Sequence, residues 1–476
     1  MALLHGERRQ TVMFPASIDQ YVAADDPVRA YDAFVEQLDF AALGIAWDPD
    51  RVGAPEYDPK AMLKLLVYGY SYGIRSSRKL ERATVHNLSF MWLLGGLAPD
   101  HKTIARFRRS HRAALARVLK QCAQMCLRLQ LIDGNTLFVD GTKMRANASF
   151  SRDWTTKKGV RLLEKLDQRI AEILAACETT DRTEDGLNAP GRLPAALRDA
   201  QALKERVQGV LQELAGSAQR SINTTDRDCR RMKSRQGAMV GYNVQAVVDD
   251  RQGLIVHADV VSDQNDVQQF AHQIEQANEV VGGVCAVACA DAGYANTGEL
   301  KRLSEQEITV IVPSQDQARR TLRGPFDRDK FVYDAQQDCY RCPAGNVLGY
   351  RRTDRRAGRN VYRMAHASLC HGCASWGVCT RAKRGRSIVK PIDDALKQQF
   401  EAEYAKPESQ AIYRRRKERA ELPFGHLKWN LGVQSFLLRG LSGVRAEASI
   451  LATCFNMKRA VTLLGVPGLL RAWGTA

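Results

Sequence analysis

The spacing of hydrophobic residues changes several times along the chain. Up to about residue 130, apolar residues recur every three or four positions, which predicts amphipathic helices, most clearly over 58–74 and 99–129. Short β-rich runs then alternate with helical segments; the runs lie at 136–140, 244–248, 254–261, 283–291 and 308–314. Residues 157–221 are long, charged and helical, and predict an inserted antiparallel helix pair. This order predicts an α/β fold in which helices pack on a mixed sheet.

Two of the β-rich runs end on a carboxylate. Asp140 ends the run that begins at Thr136, where we expect Gly141 to end the strand, and Asp291 ends the run over 283–291. We therefore expect both acids at one edge of the sheet. Phosphodiester chemistry develops charge on the attacking and leaving oxygens, and two divalent ions about 4 Å apart stabilise both. Because Mg²⁺ prefers carboxylate and water oxygens, this pair of acids predicts a metal-dependent nuclease-type site.

The charge balance points to an anionic partner. The 476 residues include 70 Lys and Arg against 53 Asp and Glu, which gives a net charge of +17 and a pI near 9.4. This surplus favours binding to nucleic acid. Arg106, Arg108 and Arg109 lie mostly off the apolar stripe of 99–129 and are candidates for phosphate contacts, although a solvated helix face is the alternative. Lys143 and Arg145, after Asp140, are further candidates.

The twelve cysteines include two Cys-x₂-Cys pairs. Cys339 with Cys342 and Cys370 with Cys373 have the spacing of a structural zinc ribbon, and we expect a zinc-ribbon-like insertion over 326–392. Cys379 could replace one ligand, and the weaker rivals are His366 and His371. The alternative interpretation is a degenerate ribbon that binds no metal.

A strongly basic segment near the end of the chain carries two further acids. Arg414, Arg415, Arg416, Lys417 and Arg419 surround Glu418 and Glu421. From the residues alone, these carboxylates could simply form surface ion pairs.

Several strings, taken together and in order, resemble one family over nearly the whole length. They are "DPKAMLKLLVYGY", "PDHKTIARFRR", "LFVDGTKMRANA", "YNVQAVVD", "ADAGYAN" and "YRRRKERAELPFGHLKWNLG". In this order they resemble the DDE transposases of bacterial insertion sequences, especially the eleven-eighty-two type with a helical N-terminal domain and a cysteine-rich insertion.

The resemblance implies an RNase H-like core with a catalytic trio. By this resemblance Asp140, Asp291 and Glu421 bind two Mg²⁺ or Mn²⁺ ions, and the last string is similar to a Tyr-Arg-Glu-Lys signature. Its members here are Tyr413, Arg416, Glu421 and Lys428. Four residues separate Arg416 from Glu421 where related families commonly have three, so Glu418 remains an alternative. The position of Lys428 favours Glu421.

The resemblance also implies a domain order and a function. We expect a helical DNA-binding domain over 1–130, the first part of the core over 131–325, the insertion over 326–392 and the rest of the core over 393–476. The expected function is a transposase that binds terminal inverted repeats, cuts the DNA and transfers the strand. The expected form is a homodimer on double-stranded DNA. The alternatives are a nuclease without strand transfer and a DNA-binding regulator that has lost cleavage.

The hydropathy pattern contains no apolar run of membrane-spanning length, and residues 1–10 have too short an apolar stretch for a secretory signal. The sequence therefore predicts a cytoplasmic protein without membrane contact, and the resemblance implies association with the bacterial nucleoid when DNA is bound.

Overall fold

The computed structural model describes residues 17–45, 56–183, 195–217, 219–234, 237–318, 324–355 and 358–475. The expectation about a secretory signal in residues 1–10 lies outside these residues. The chain divides into two compact units. The first comprises residues 1–266, 273–285 and 417–476, and the second comprises 267–272 and 286–416. The four-part domain division drawn from the sequence stays a prediction.

Helices dominate the first part of the first unit. They are α1 Pro27–Glu36, α2 Phe40–Leu43, α3 Pro59–Ser71, α4 Ser77–His86, α5 Leu88–Leu93, α6 His101–Ser110 and α7 Arg112–Arg128. Asp58 and Asp100 cap α3 and α6 by accepting backbone N–H bonds from Lys60 and Thr103. The single helix predicted over 99–129 is two helices, because His111 adopts a non-helical backbone (φ −107°, ψ 27°).

An antiparallel sheet forms the centre of the first unit. Its strands are β1 Thr136–Arg145, β4 Arg230–Ser234, β5 Gly237–Asp249 and β6 Ile255–Val261. One edge of β5 pairs with β1, and the other edge pairs first with β4 and then with β6. Gly241 is required at its position in β5, because a Cβ atom there would collide with the carbonyl oxygen of Met144.

The segment predicted as a helical insertion contains two long helices. They are α8 Thr156–Thr183 and α9 Ala195–Ala215, next to the short strands β2 Asp153–Trp154 and β3 Ile222–Asn223. Their apolar faces share a small core that includes Trp154, Leu166 and Val207. The loop predicted between them lies largely outside the described residues.

Three later helices also contribute to the first unit. They are α10 Phe270–Val281, α15 Pro407–Gly425 and α16 Leu441–Ala472, of which α16 is interrupted at Gly465. The first unit holds α15 only from Lys417 onwards. The α-helix continues through Pro423 and passes directly into a π-helical turn, His426–Asn430.

The second unit contains a parallel strand pair and a separate cysteine-rich sheet. The pair is β7 Val287–Cys289 and β8 Thr309–Ile311. The five-stranded antiparallel sheet has the order β13-β12-β11-β10-β9. Its strands are β9 Val332–Asp334, β10 Cys339–Arg341, β11 Val347–Asp354, β12 Arg359–Met364 and β13 Ser387–Pro391. The helices are α11 Thr297–Ser304, α12 Gln315–Ala318, α13 Ser368–His371 and α14 Asp394–Ala405.

The architecture is mixed α/β, as the sequence predicted. In the described part of the chain, no helix combines the length and the apolar character needed to cross a bilayer.

Candidate active site

Asp140 lies in the middle of β1 and not at its end. The strand continues to Arg145, because Gly141 to Arg145 pair in register with Gln245 to Gly241 of β5. The sequence expectation that Gly141 ends the strand is therefore wrong. The Asp140 side chain is half-buried, and its Oδ1 accepts a bond from the Gly141 backbone N–H at 2.9 Å.

Lys428 lies on the same face of the sheet as Asp140. Its Nζ donates a hydrogen bond to Oγ1 of Thr142. Side chains alternate along a strand, so Asp140 and Thr142, two residues apart, point to the same face. The ammonium group of the predicted signature lysine is therefore on the Asp140 face of β1.

The two candidate third acids both lie on α15. The buried stripe of this helix includes Arg416, Ala420 and Phe424, at 9%, 0% and 7% exposure. Glu418 follows Arg416 by about 200° of rotation and lies on the solvent side. Both glutamates are exposed. Lys428 lies beyond α15, in the π-helical turn, so α-helical periodicity does not align it with either glutamate. The choice of Glu421 over Glu418 stays a prediction from the resemblance.

Asp291 lies two residues after β7, in the second unit, and caps a short 3₁₀ turn. Its Oδ1 accepts the Gly293 N–H at 2.7 Å. Burial raises the pKa of Tyr413, Arg416 lowers it, and the nearby Asp291 carboxyl is among the groups that raise it again. The Arg416 guanidinium carbon lies 5.5 Å from the centre of the Tyr413 ring. The second unit therefore brings Asp291, Tyr413 and Arg416 into one neighbourhood.

The predicted phosphate-binding arginines of α6 differ in exposure. Arg106 and Arg109 are exposed. Arg108 is only 7% exposed, and its Nη1 donates to the Tyr70 hydroxyl and to the Arg75 carbonyl, each at 2.9 Å. This side chain therefore stabilises the packing of the helices, and we leave it out of the proposed DNA-binding set.

The two basic residues of β1 are more accessible. Lys143 is half-buried and Arg145 is exposed. The Arg145 carbonyl accepts the Phe436 N–H at 2.9 Å, which fixes the end of β1 next to the segment that follows the π-helical turn.

Sequence reasoning missed Trp429. This residue lies in the π-helical turn directly after Lys428, and its side chain is 86% exposed. Large aromatic side chains are usually more buried than this, so Trp429 is a candidate contact residue. The available signal was the unexplained tryptophan inside the signature string.

The structure places three of the four predicted zinc ligands around one pocket. Cys342, Cys370, Cys373 and Cys379 line one pocket in the cysteine-rich sheet. Cys339 is buried on β10 and is not among the residues that line this pocket. The alternative ligand Cys379 therefore lies with the other three thiols, and Cys339 does not.

The side chains as placed do not form a closed metal site. Within the described residues, no group of three or more His, Cys, Asp or Glu side chains is arranged to hold an ion. The donor types nevertheless suit the expected metals, because carboxylates match Mg²⁺ or Mn²⁺ and thiolates match Zn²⁺.

Comparisons with known proteins agree on one class. The family model described as a transposase domain (DUF772) matches residues 16–110, and the one described as a transposase DDE domain matches residues 341–461. The second match includes the four cysteines that line the pocket, Glu421 and Lys428. These matches support a DDE transposase, which is the class of protein that the sequence resembles.

Other comparisons add little. No curated protein matches the chain. A cryo-EM structure of the piggyBac transposase synaptic complex with hairpin DNA is similar over 94% of this chain and 79% of that chain, at 10% identity and a TM-score of 0.34. A score this low carries no argument here.

Proposed function

We propose that this protein is a DNA transposase that binds the terminal inverted repeats of an insertion sequence and performs metal-dependent strand cleavage and transfer. One observation carries the proposal: the matched DDE segment supplies Lys428, which is hydrogen-bonded to β1 on the face of Asp140. Lys428 and Asp140 were both expected at the catalytic centre from the resemblance alone.

The proposed catalytic residues are Asp140, Asp291 and Glu421, on an RNase H-like core. Their carboxylates would hold two Mg²⁺ or Mn²⁺ ions, which stabilise charge on the attacking and leaving oxygens of the phosphodiester. Glu421 is preferred over Glu418 because Lys428 then falls where the Tyr-Arg-Glu-Lys signature of the resemblance has its lysine.

The cationic residues orient the DNA. The Lys428 ammonium is positively charged and donates to Thr142 on the Asp140 face, so it would attract a phosphate oxygen bound next to Asp140. Arg416 and Tyr413 would take the same role near Asp291. The surplus of positive charge neutralises the remaining backbone phosphates.

The DNA contacts extend beyond the catalytic residues. We assign phosphate contacts to Arg106, Arg109, Lys143 and Arg145, and stacking on an unpaired base to Trp429. Two transposon ends must be paired before transfer, so the proposed active form is a homodimer on DNA, bound to the bacterial nucleoid.

The test uses the purified full chain, labelled DNA with the element's ends, and Mg²⁺ or Mn²⁺. Asp140→Asn should lower cleavage about 10³-fold or more while DNA binding persists. Asp133→Asn is the matched control, because Asp133 is an exposed aspartate just before β1.

Each other result selects another function. Binding without cleavage by the unaltered chain would indicate a DNA-binding regulator. Cleavage without joined products would indicate a nuclease. Cleavage that survives in Asp140→Asn would overturn the assignment of this carboxylate.

A further inference from the structure

The two cysteines of the first Cys-x₂-Cys pair have different surroundings. Cys339 and Tyr340 are neighbours on β10, so their side chains point to opposite faces of the strand. Tyr340 belongs to the core cluster that contains Cys370 and against which Cys342 and Cys379 pack. Cys339 therefore points away from that cluster, and its thiol contacts the Gln337 side chain at 3.9 Å.

Four other thiols come together from separate segments. Cys342 begins the turn after β10, Cys370 and Cys373 lie in and just after α13, and Cys379 belongs to the loop that follows. All four line the same pocket. Cys342 and Cys379 also pack against the apolar cluster that contains Cys370, so the four thiols share one environment.

Backbone amides already point at two of these sulfurs. The Arg386 N–H donates to Cys370 Sγ at 3.3 Å, and the Ser375 N–H donates to Cys373 Sγ at 3.5 Å. Such bonds stabilise the negative charge of a thiolate, which is the form that binds a metal. Gly385 also lets the backbone pass close to Cys370, because a Cβ atom there would lie 3.2 Å from its sulfur.

We infer that Cys342, Cys370, Cys373 and Cys379 form a structural tetrathiolate Zn²⁺ site from which Cys339 is excluded. Binding converts the thiols to thiolates and releases their protons to the solvent. The sulfurs do not converge on one point, so metal binding requires their side chains to rotate between staggered χ1 rotamers. The ion would link the turn after β10, α13 and the loop that follows α13. Such a link would stabilise the five-stranded sheet, whose apolar core is small. This site does not depend on the proposed transposase activity.

The test measures metal in the full chain, purified with a reducing agent from zinc-supplemented cells. Elemental analysis should find about one zinc per chain, bound tetrahedrally. Cys339→Ser should keep it, whereas Cys379→Ser should lose it or bind it much more weakly. Replacing zinc by Co²⁺ gives a second readout, because tetrathiolate cobalt has strong charge-transfer and d–d absorption. Cys339→Ser should have the same cobalt spectrum as the unaltered chain.

Several results would overturn the inference. Loss of zinc in Cys339→Ser would show that Cys339 is a ligand, as the spacing of the two Cys-x₂-Cys pairs predicted. A changed cobalt spectrum in that variant would show the same. Zinc-free unaltered protein would show that the pocket is only a core of thiols. Because Cys339→Ser leaves all four proposed ligands in place, a folding failure of Cys379→Ser still leaves the inference testable. Mg²⁺-dependent DNA cleavage is measured separately, so failure of one proposal is not failure of the other.

Discussion

The segment from Glu421 to Lys428 and the cysteine-rich sheet were both predicted from residue spacing. Seven residues would be two turns of a continuous α-helix, but Lys428 lies in the π-helical turn after α15, so this spacing alone does not align the two side chains. In the cysteine-rich segment, Cys339 is in a strand and Cys342 is in the turn after it, so equal spacing in the two Cys-x₂-Cys pairs does not mean equal direction. Spacing is informative once the element that carries it is known.

The largest expected effect tests the helical half of this comparison. Glu421→Gln should lower metal-dependent cleavage by on the order of 10³-fold, because it removes a charged metal ligand. Glu418→Gln is the matched control, three residues away on the same exposed helix, and should change cleavage less than about twofold. The measurement is the cleavage rate at saturating DNA. A large loss in Glu418→Gln with an active Glu421→Gln would reverse the assignment of the third acid.

The second prediction concerns the buried ion pair between Arg75 and Glu447, which holds the segment that follows the π-helical turn. Glu447 is fully buried and accepts the N–H groups of Leu437 and Leu438 at 2.8 and 2.9 Å, and Arg75 forms an ion pair with it at 2.8 Å. Arg75→Met leaves this carboxylate without its cation. The free energy of unfolding should fall by about 3–5 kcal/mol, measured by denaturant titration at neutral pH. In contrast, Arg109→Met, at an exposed position, should lower the free energy of unfolding by less than about 0.5 kcal/mol.

The pH dependence gives an internal check on that loss. Burial already raises the pKa of Glu447, while the Leu438 N–H, Arg75 and the Leu437 N–H lower it. Without Arg75 the pKa rises further, so the folded state binds a proton more readily than the unfolded chain. Stability is then regained as the pH falls towards the unfolded pKa of 4.5. An equal loss at pH 5 and pH 8 would mean that the damage comes from lost packing.

The sequence predicts the types of the secondary-structure elements well, but it predicts poorly how far a strand extends and which side chains are buried. The hairpin of β5 and β6 follows from two β-rich runs around a turn, and the helices follow from their apolar spacing. The length of β1 could not be found in this way, because its second half is held by pairing with β5, 100 residues away. The burial of Arg108 depends on Tyr70 and Arg75, which no local pattern connects to it.

A third prediction follows from the exposed tryptophan next to Lys428. Trp429→Ala should weaken binding to DNA ends that contain unpaired bases by about 5- to 150-fold, the equivalent of 1–3 kcal/mol per stacked base. Trp429→Phe should retain most of the affinity, because its ring can still stack. Fluorescence anisotropy with unpaired and fully paired ends measures both. Equal weakening on the two substrates would show that Trp429 contacts the duplex and does not stack on a base.

The smallest expected effect concerns His426, a half-buried residue of the π-helical turn that carries Lys428. Burial lowers the pKa of His426, and the charge of Lys458 lowers it further. The folded state therefore binds fewer protons at this site than the unfolded chain, so the free energy of unfolding falls as the pH drops below about 6.5, the ordinary value. His426→Asn should flatten this acid-side slope, measured by thermal unfolding across that pH range. His86→Asn, at an exposed position of α4, should leave the slope unchanged. The reverse pattern would mean that the acid sensitivity does not come from His426.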